Sequence, residues 1–332
     1  MISLSEINCN TYMDKISPQH NLGGFIFKLK TNLKPLAKLI KNKKIRGFFM
    51  YINGVFSTHF YKKTILEYYG KLDFNKLDLE KRVVIEFLKH NPVNLFPYEF
   101  TKKYKPSDIK VFTDEARQLK YCFLDNKKIY FKRSCSEKKV QELCSALIMV
   151  QDPESPHRYL TNDFNVSQDD IVADIGAAEG DFALSIIEKV KKVYLFESDP
   201  ELMEALGATF EPWKDRVVIV DKYVSNNTDG NCTTLDSYFR DNEKPNFLKI
   251  DIEGAEHDLI EGGESFLSCN NDIKIIMASY HRHNDETILS EKLQKHGFKT
   301  EFSKGYMLSI WDDIVKEPYL RRGLIRAIKK HV

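Results

Sequence analysis

The chain has 332 residues, 42% of them hydrophobic, with 50 Lys and Arg against 48 Asp and Glu. No apolar run approaches the ~20 residues that cross a bilayer. The six cysteines are scattered without a CxxC pair, which excludes a disulfide framework or zinc ribbon and fits reduced thiols. The near-neutral total hides an asymmetry: residues 1–150 hold 28 basic against 14 acidic side chains (+14), and residues 151–332 hold 22 against 34 (−12).

The opening stretch MISLSEINCN lacks a basic region followed by an apolar core, so no signal peptide is expected. The expected location is cytoplasmic, with peripheral attachment at the inner membrane face as an alternative. Between Asp14 and Glu67 there are eleven basic residues and no acidic one, interleaved with Phe48, Phe49, Tyr51, Phe56, Phe60 and Tyr61. That pattern reads either as a solvated basic face or as a site for an anionic partner. Leu33–Lys43 suggests a short amphipathic helix, and Asn53-Gly54 is a weak hairpin signal. Tyr121–Arg133 alternates on both sides of Asp125-Asn126 and forms a better hairpin. A helix is expected over Glu137–Val150. Gln151–Asp170, with two prolines and many polar residues, reads as the lead-in to a second domain. The expected division is therefore a basic α+β region at 1–150, for acceptor binding or oligomerisation, and a second domain at 151–332.

From Ile171 short apolar strands alternate with helical stretches. The strands are Ile171–Ile175, Val193–Glu197, Val217–Val220, Phe247–Ile252 and Ile273–Tyr280. The helices include Asp181–Val190, Glu201–Thr209 and Glu256–Ser268. This alternation predicts an α/β, Rossmann-like fold with a mostly parallel sheet covered on both faces. Phe298–Asp312, with Lys304-Gly305 between two alternating runs, predicts an antiparallel hairpin at the sheet edge.

VADIGAAEGDFAL, Val172–Leu184, places a tight turn between a buried strand and a helix. Its Gly-x-x-x-Gly spacing differs from the Gly-x-Gly-x-x-Gly that cradles a pyrophosphate. Glu197, ending the second strand in FESDP, is placed to accept both hydroxyls of a ribose. A ribose and a small zwitterionic tail without pyrophosphate describe S-adenosylmethionine. The candidate cofactor residues are Asp174, Gly176, Ala177, Gly180, Glu197 and Ser198. Asp221, at the third strand end, is a candidate for the adenine amine or an ordinary turn residue.

DIGAAEGDFAL, FESDP, TTLDSYF, FLKIDIEGAEHDLIEGG and SYHRHND together make residues 171–311 resemble the FkbM-type S-adenosylmethionine-dependent methyltransferases. The resemblance implies a class I methyltransferase with a seven-stranded sheet, acting on sugar hydroxyls of glycans, glycolipids or glycosylated metabolites. It implies that Asp251 lies near the methionine end of the cofactor or the acceptor, and that Glu253 fixes the acceptor or orients its loop. Glu256 reads as a carboxylate opening the next helix, where the macrodipole favours it.

Removing a proton from a sugar hydroxyl calls for a base with a pKa near the working pH. His281, at the end of the fifth strand, is the first candidate and His283 the reserve, with Arg282 available for an acidic acceptor. Mg²⁺ on Asp251, Glu253 and a histidine is the competing solution, and it is not favoured. The alternatives are methylation of a peptide or small metabolite, or a glycan- or nucleic-acid-binding protein with a structural cofactor domain. A homo-oligomer is compatible with the composition, and nucleic acid is the less favoured partner.

Overall fold

The computed structural model describes residues 59–308 and 317–330. The helix expected at Leu33–Lys43 and the turn at Asn53-Gly54 lie outside them. Contacts divide the chain into two compact units, one holding Phe100–Lys304 with Arg322–Val332, the other Ile2–Glu99 with Gly305–Arg321. Residues 100–150 therefore share a core with the large sheet, whereas the sequence groups them with the N-terminal region.

In the larger unit, β1 (Phe112–Asp114), β2 (Leu119–Leu124) and β3 (Lys127–Tyr130) form an antiparallel sheet. The β2–β3 turn is the expected Asp125-Asn126, both with positive φ (47° and 63°) as a tight hairpin requires. The main sheet contains β4 (Ile171–Ile175), β5 (Lys192–Phe196), β6 (Val217–Val220), β9 (Phe247–Ile250), β10 (Ile273–Ala278), β11 (Lys299–Phe302) and β14 (Leu324–Lys329). Two short strands, β7 (Tyr223–Val224) and β8 (Cys232–Thr233), pair beside it. The main order is β11-β14-β10-β9-β4-β5-β6, with β14 antiparallel to both its neighbours. β4 is buried at every position, as a strand covered on both faces should be.

One face of the sheet packs Val172, Leu195 and Phe247 against α3 (Glu137–Val150), α4 (Asp181–Ile186) and the β2–β3 hairpin. The other packs Ala173, Ile175, Phe196 and Ile250 against α7 (Glu256–Glu261), α8 (Glu264–Cys269) and α9 (Asp285–Lys295). α5 (Pro200–Phe210) and the single turn α6 (Leu235–Tyr238) complete the unit. The helix expected over Glu256–Ser268 is split at Gly262-Gly263, and Gly262 packs so closely that a side chain there would overlap the Ser225 carbonyl.

The expected C-terminal hairpin is corrected. β11 does not pair with the residues just beyond Lys304-Gly305; its partner is β14. The intervening residues belong to the smaller unit, where β12 (Met307–Leu308) pairs with β13 (Leu320–Arg321). That unit also holds a helix over residues 59–70 (α1) and α2 (Leu79–His90), whose amide at Lys81 donates to the Asp78 cap at 2.8 Å. Ile65, Tyr69, Val84 and Leu88 form its core with Tyr306, Leu308 and Leu320. No helix among the described residues is long and apolar enough to cross a membrane.

Candidate active site

The strand order reverses between β4 and β9, and a crevice outside the carboxyl ends of such strands is where open α/β sheets take ligands. Asp174 and Lys249 sit opposite each other across that junction. Their ion pair is 3.0 Å long with both side chains buried. Lys249 Nζ also donates to the Gly176 carbonyl at 2.6 Å. Burial works against its charge, but Asp174 and Asp251 raise its pKa and keep it cationic.

Gly176 (φ 78°) and Gly180 (φ 82°) occupy left-handed positions that favour glycine. Their space is filled by the protein itself. A Cβ on Gly176 would overlap the Asp251 carbonyl oxygen, and one on Gly180 would lie 2.7 Å from Leu206 and 2.8 Å from Phe210. The first glycine thus lets the loop close on the end of β9, and the second lets it close on α5. The Gly176 and Ala177 amides both donate to the Phe196 carbonyl, at 3.1 and 3.0 Å.

Glu197 is 8% exposed at the end of β5. Its Oε2 accepts from the Ala178 amide at 3.1 Å, and its Oε1 from the Ser198 and Asp199 amides at 2.8 and 2.9 Å. A carboxylate offers about four lone-pair positions, so one remains, on Oε2. The Ser198 hydroxyl beside it is buried without a hydrogen-bond partner. Beyond it, a cavity of about 400 Å³ at the end of β6 is lined by Ile219, Val220, Asp221, Thr233 and Tyr238. An acceptor site, an orphaned hydroxyl and an adjoining cavity fit a nucleoside. Glu179, in the same loop, is 1% exposed, makes no side-chain hydrogen bond, and is pushed up to about 7 by burial and by Asp181.

The carboxylates at the end of β9 meet more cations and donors than the sequence suggests. Asp251 accepts from the Tyr159 hydroxyl at 2.8 Å and faces His157 Nε2 at 3.3 Å and His281 Nε2 at 3.4 Å. Burial alone would raise its pKa, but His157, His281 and Lys249 hold it well below the usual carboxylate range. Burial and Asp251 push the Tyr159 and Tyr280 phenols up, so both remain donors.

His281 is 6% exposed and ringed by acids, with Nδ1 2.9 Å from Glu256 Oε1 and Nε2 3.8 Å from Glu253 Oε2. Burial opposes its charge, but Glu256, Asp251 and Glu253 outweigh that and raise it to about 9. At neutral pH it is an imidazolium. Glu256 opens α7 as expected, and its Oε1 also accepts from the Ile252 amide at 3.1 Å. Glu253 stands in a turn with φ 54°, its side chain 47% exposed, and is pushed up to about 7 by desolvation and by the nearby carboxylates.

Arg282 is exposed, its amide donating to Asp285 Oδ2 at 2.6 Å and its side chain lying against Gly254. His283 is half-buried two residues beyond His281. Asp251, Glu256 and His281 each offer a ligand atom within 4.8 Å of the others. Glu256 stands here in place of the expected Glu253, and the histidine nitrogen suits Mg²⁺ poorly, since that ion prefers oxygen alone.

The structure brings Asp251 and Glu253 beside His281 and adds Glu256, to which the sequence gave only a helix-opening role. The sequence reading missed His157, Tyr159 and Lys249. Lys249 carried a signal, since a lysine inside an apolar strand needs a buried acid. His157 and Tyr159 lie about ninety residues earlier in a segment without periodicity, and nothing local marks them.

Residues 223–300 match the family model described as the methyltransferase FkbM domain. The match contains Asp251, Glu253, Glu256, His281 and Arg282; the Asp174–Gly180 loop and Glu197 precede it. No curated protein is significantly similar to the chain. Among solved structures, methyltransferase FkbM from Methylobacillus flagellatus is 18% identical, covering 57% of this chain and 54% of its own, with a TM-score of 0.39. Precorrin-6y C5,15-methyltransferase from Geobacter metallireducens is 15% identical, covering 50% and 83%, with a TM-score of 0.36. Trm5b from Pyrococcus abyssi is 14% identical, covering 67% and 63%, with a TM-score of 0.37. The chain spans about half the length of the first of these.

Proposed function

We propose that this S-adenosylmethionine-dependent methyltransferase methylates a sugar hydroxyl of a glycan or glycoconjugate, with Glu253 as proton acceptor. The observation that carries the reading is the cluster at the β9–β10 mouth. There the half-exposed Glu253 carboxyl, raised to about 7, stands 3.8 Å from a His281 ring nitrogen that also lies 3.4 Å from Asp251.

When bound, the cofactor supplies a methyl group on a sulfonium whose sulfur leaves with the bonding pair. Glu197 takes a ribose hydroxyl on its remaining lone pair, Ser198 supplies a second polar contact, and the cavity beside Asp221 receives the adenine. Asp251 stays anionic and faces the cationic centre; held so low, it takes no proton near neutral pH. Glu253 accepts the acceptor hydroxyl's proton as the oxygen–carbon bond forms, then returns it to water. His281, expected to be the base, is charged in this setting, and we assign it to positioning Glu253 and Asp251. Arg282, exposed beside Gly254, is available for an acid group on the acceptor.

The test supplies cofactor carrying an isotope-labelled methyl group, with oligosaccharide and peptide acceptors in parallel. Label recovered as an O-methyl ether on sugar supports the reading. Label on peptide alone, or cofactor binding without transfer to any sugar, defeats it.

A further inference from the structure

The β1–β3 sheet has two dissimilar faces. Cys122, Leu124 and Ile129 point into the core. By strand alternation Phe112, Tyr121, Phe123, Lys128 and Tyr130 share the opposite face, with Phe112, Tyr121 and Tyr130 in one cross-strand row. Phe112 stacks on Tyr121 at 5.5 Å and 23°, and Phe123 meets both edge-on at 5.6 Å. Tyr130 is packed near Ala205 of α5, but Phe112 is 41% and Phe123 47% exposed. The row therefore runs from a buried end to an open one.

The platform is fixed in place. The Tyr130 amide donates to Thr209 Oγ1 at 3.0 Å, Lys132 pairs with Asp199 at 2.8 Å, and Arg133 pairs with Glu204. Lys128 Nζ lies 4.6 Å from the Tyr121 ring centre and, among the described residues, has no carboxylate at ion-pair distance. The other charges on the sheet are occupied or turned away. Asp114 is held by Arg117, Lys127 pairs with Glu188, and Lys120 alternates to the core-side face.

We propose that this face is a stacking platform for an acidic oligosaccharide, a proposal that rests on the sugar reading of the active site. A pyranose presents a flat face of C–H bonds, electropositive like an aromatic edge, which the negative face of a ring attracts. The exposed rings of Phe112 and Phe123 stand at 77° to each other, so they suit two sugar units set at an angle, and the Lys128 ammonium over Tyr121 suits a chain with sparse acid groups. A polyphosphate backbone would call for several cations, and the face offers one.

Calorimetry on the full chain with hexagalacturonate, maltohexaose and oligouridylate tests this. Hexagalacturonate should bind tightest. Phe112→Ala with Phe123→Ala should weaken it about tenfold or more, the equivalent of ~1.4 kcal/mol. Phe123→Leu, which keeps the apolar bulk without the ring, should weaken it as well. Lys128→Gln should weaken hexagalacturonate and leave maltohexaose unchanged. Transfer to a monosaccharide acceptor should survive the double substitution. Unchanged hexagalacturonate affinity in the double variant overturns the platform while the sugar reading stands. The same holds if the native protein methylates a monosaccharide but binds neither oligosaccharide. Loss of oligouridylate binding alone also overturns it. Loss of hexagalacturonate binding in a protein that methylates no sugar supports the platform and removes the proposed reaction.

Discussion

Glu253 and His281 lie side by side, and their shifts have different consequences. The Glu253 carboxyl is raised to about 7, so it binds its proton more tightly folded than unfolded. Stability from that proton is present below about 4.5 and lost as pH rises through 7. Activity should run the other way, because only the ionised form accepts a proton. In the native protein kcat should fall as pH drops through about 7. Glu253→Gln should abolish that limb and lower kcat about 10²–10⁴-fold, while melting at a higher temperature than the native protein at pH 8. A full pH-rate profile beside thermal melts reads both effects, and an unchanged profile would remove Glu253 from the reaction. His281 is raised to about 9 from 6.5, so its stabilisation is full below about 6.5 and fades as pH rises through 9. Denaturant titrations of the native protein and His281→Asn at pH 6, 8 and 10 should show a stability gap that narrows with pH. Much of this site was legible in KIDIEGAE and SYHRH, because strand ends deliver side chains to a predictable edge. The protonation states were not, since they depend on Glu256 and Asp251 surrounding one imidazole from a different strand.

Strands and helices with strong periodicity were read within a few residues. Ile171–Ile175, Val217–Val220 and Glu137–Val150 stand as expected. What failed was pairing: β14 carried no local signal of its partner, and its apolar pattern suits either sheet edge. The glycines show the same limit. Gly-x-x-x-Gly looked like a cradle for a ligand, yet both positions are filled by protein atoms. Gly176→Ala should therefore lower stability by about 1–3 kcal/mol or more, through strain and overlap, with cofactor affinity lost only as a result. Equal melting temperatures for Gly176→Ala and the native protein would count against this. Gly207 is the contrasting case. It sits inside α5 with nothing within 4 Å of its Cβ position, so Gly207→Ala should stabilise by about 0.4–1 kcal/mol, measured by denaturant unfolding.

Across the whole chain, charge divides by sequence, with +14 before residue 151 and −12 after it. If the basic part attracts an acidic acceptor, KM for that acceptor should rise with ionic strength, as screening shortens to ~3 Å at 1 M salt. Cofactor affinity, set by buried groups, should stay nearly constant. A salt-independent KM would leave the basic stretch as a solvated surface. The sequence marks that stretch plainly, but composition reports charge and not what the charge meets.

Where β11 ends and β14 begins, the chain makes a closed detour. The Ser303 amide donates to the Leu324 carbonyl at 2.9 Å, and the Leu324 amide returns a bond to the Ser303 hydroxyl at 3.0 Å. The stretch between them leaves and re-enters the sheet at one point. Closing a longer loop costs little more than closing a short one, since the entropy grows only with the logarithm of length. An insertion anchored this way behaves like a cartridge in a fixed socket. Its length is therefore only weakly constrained by the entropy of closing it, whereas its Tyr306, Leu308 and Leu320 are constrained by the core they form with Ile65, Tyr69, Val84 and Leu88.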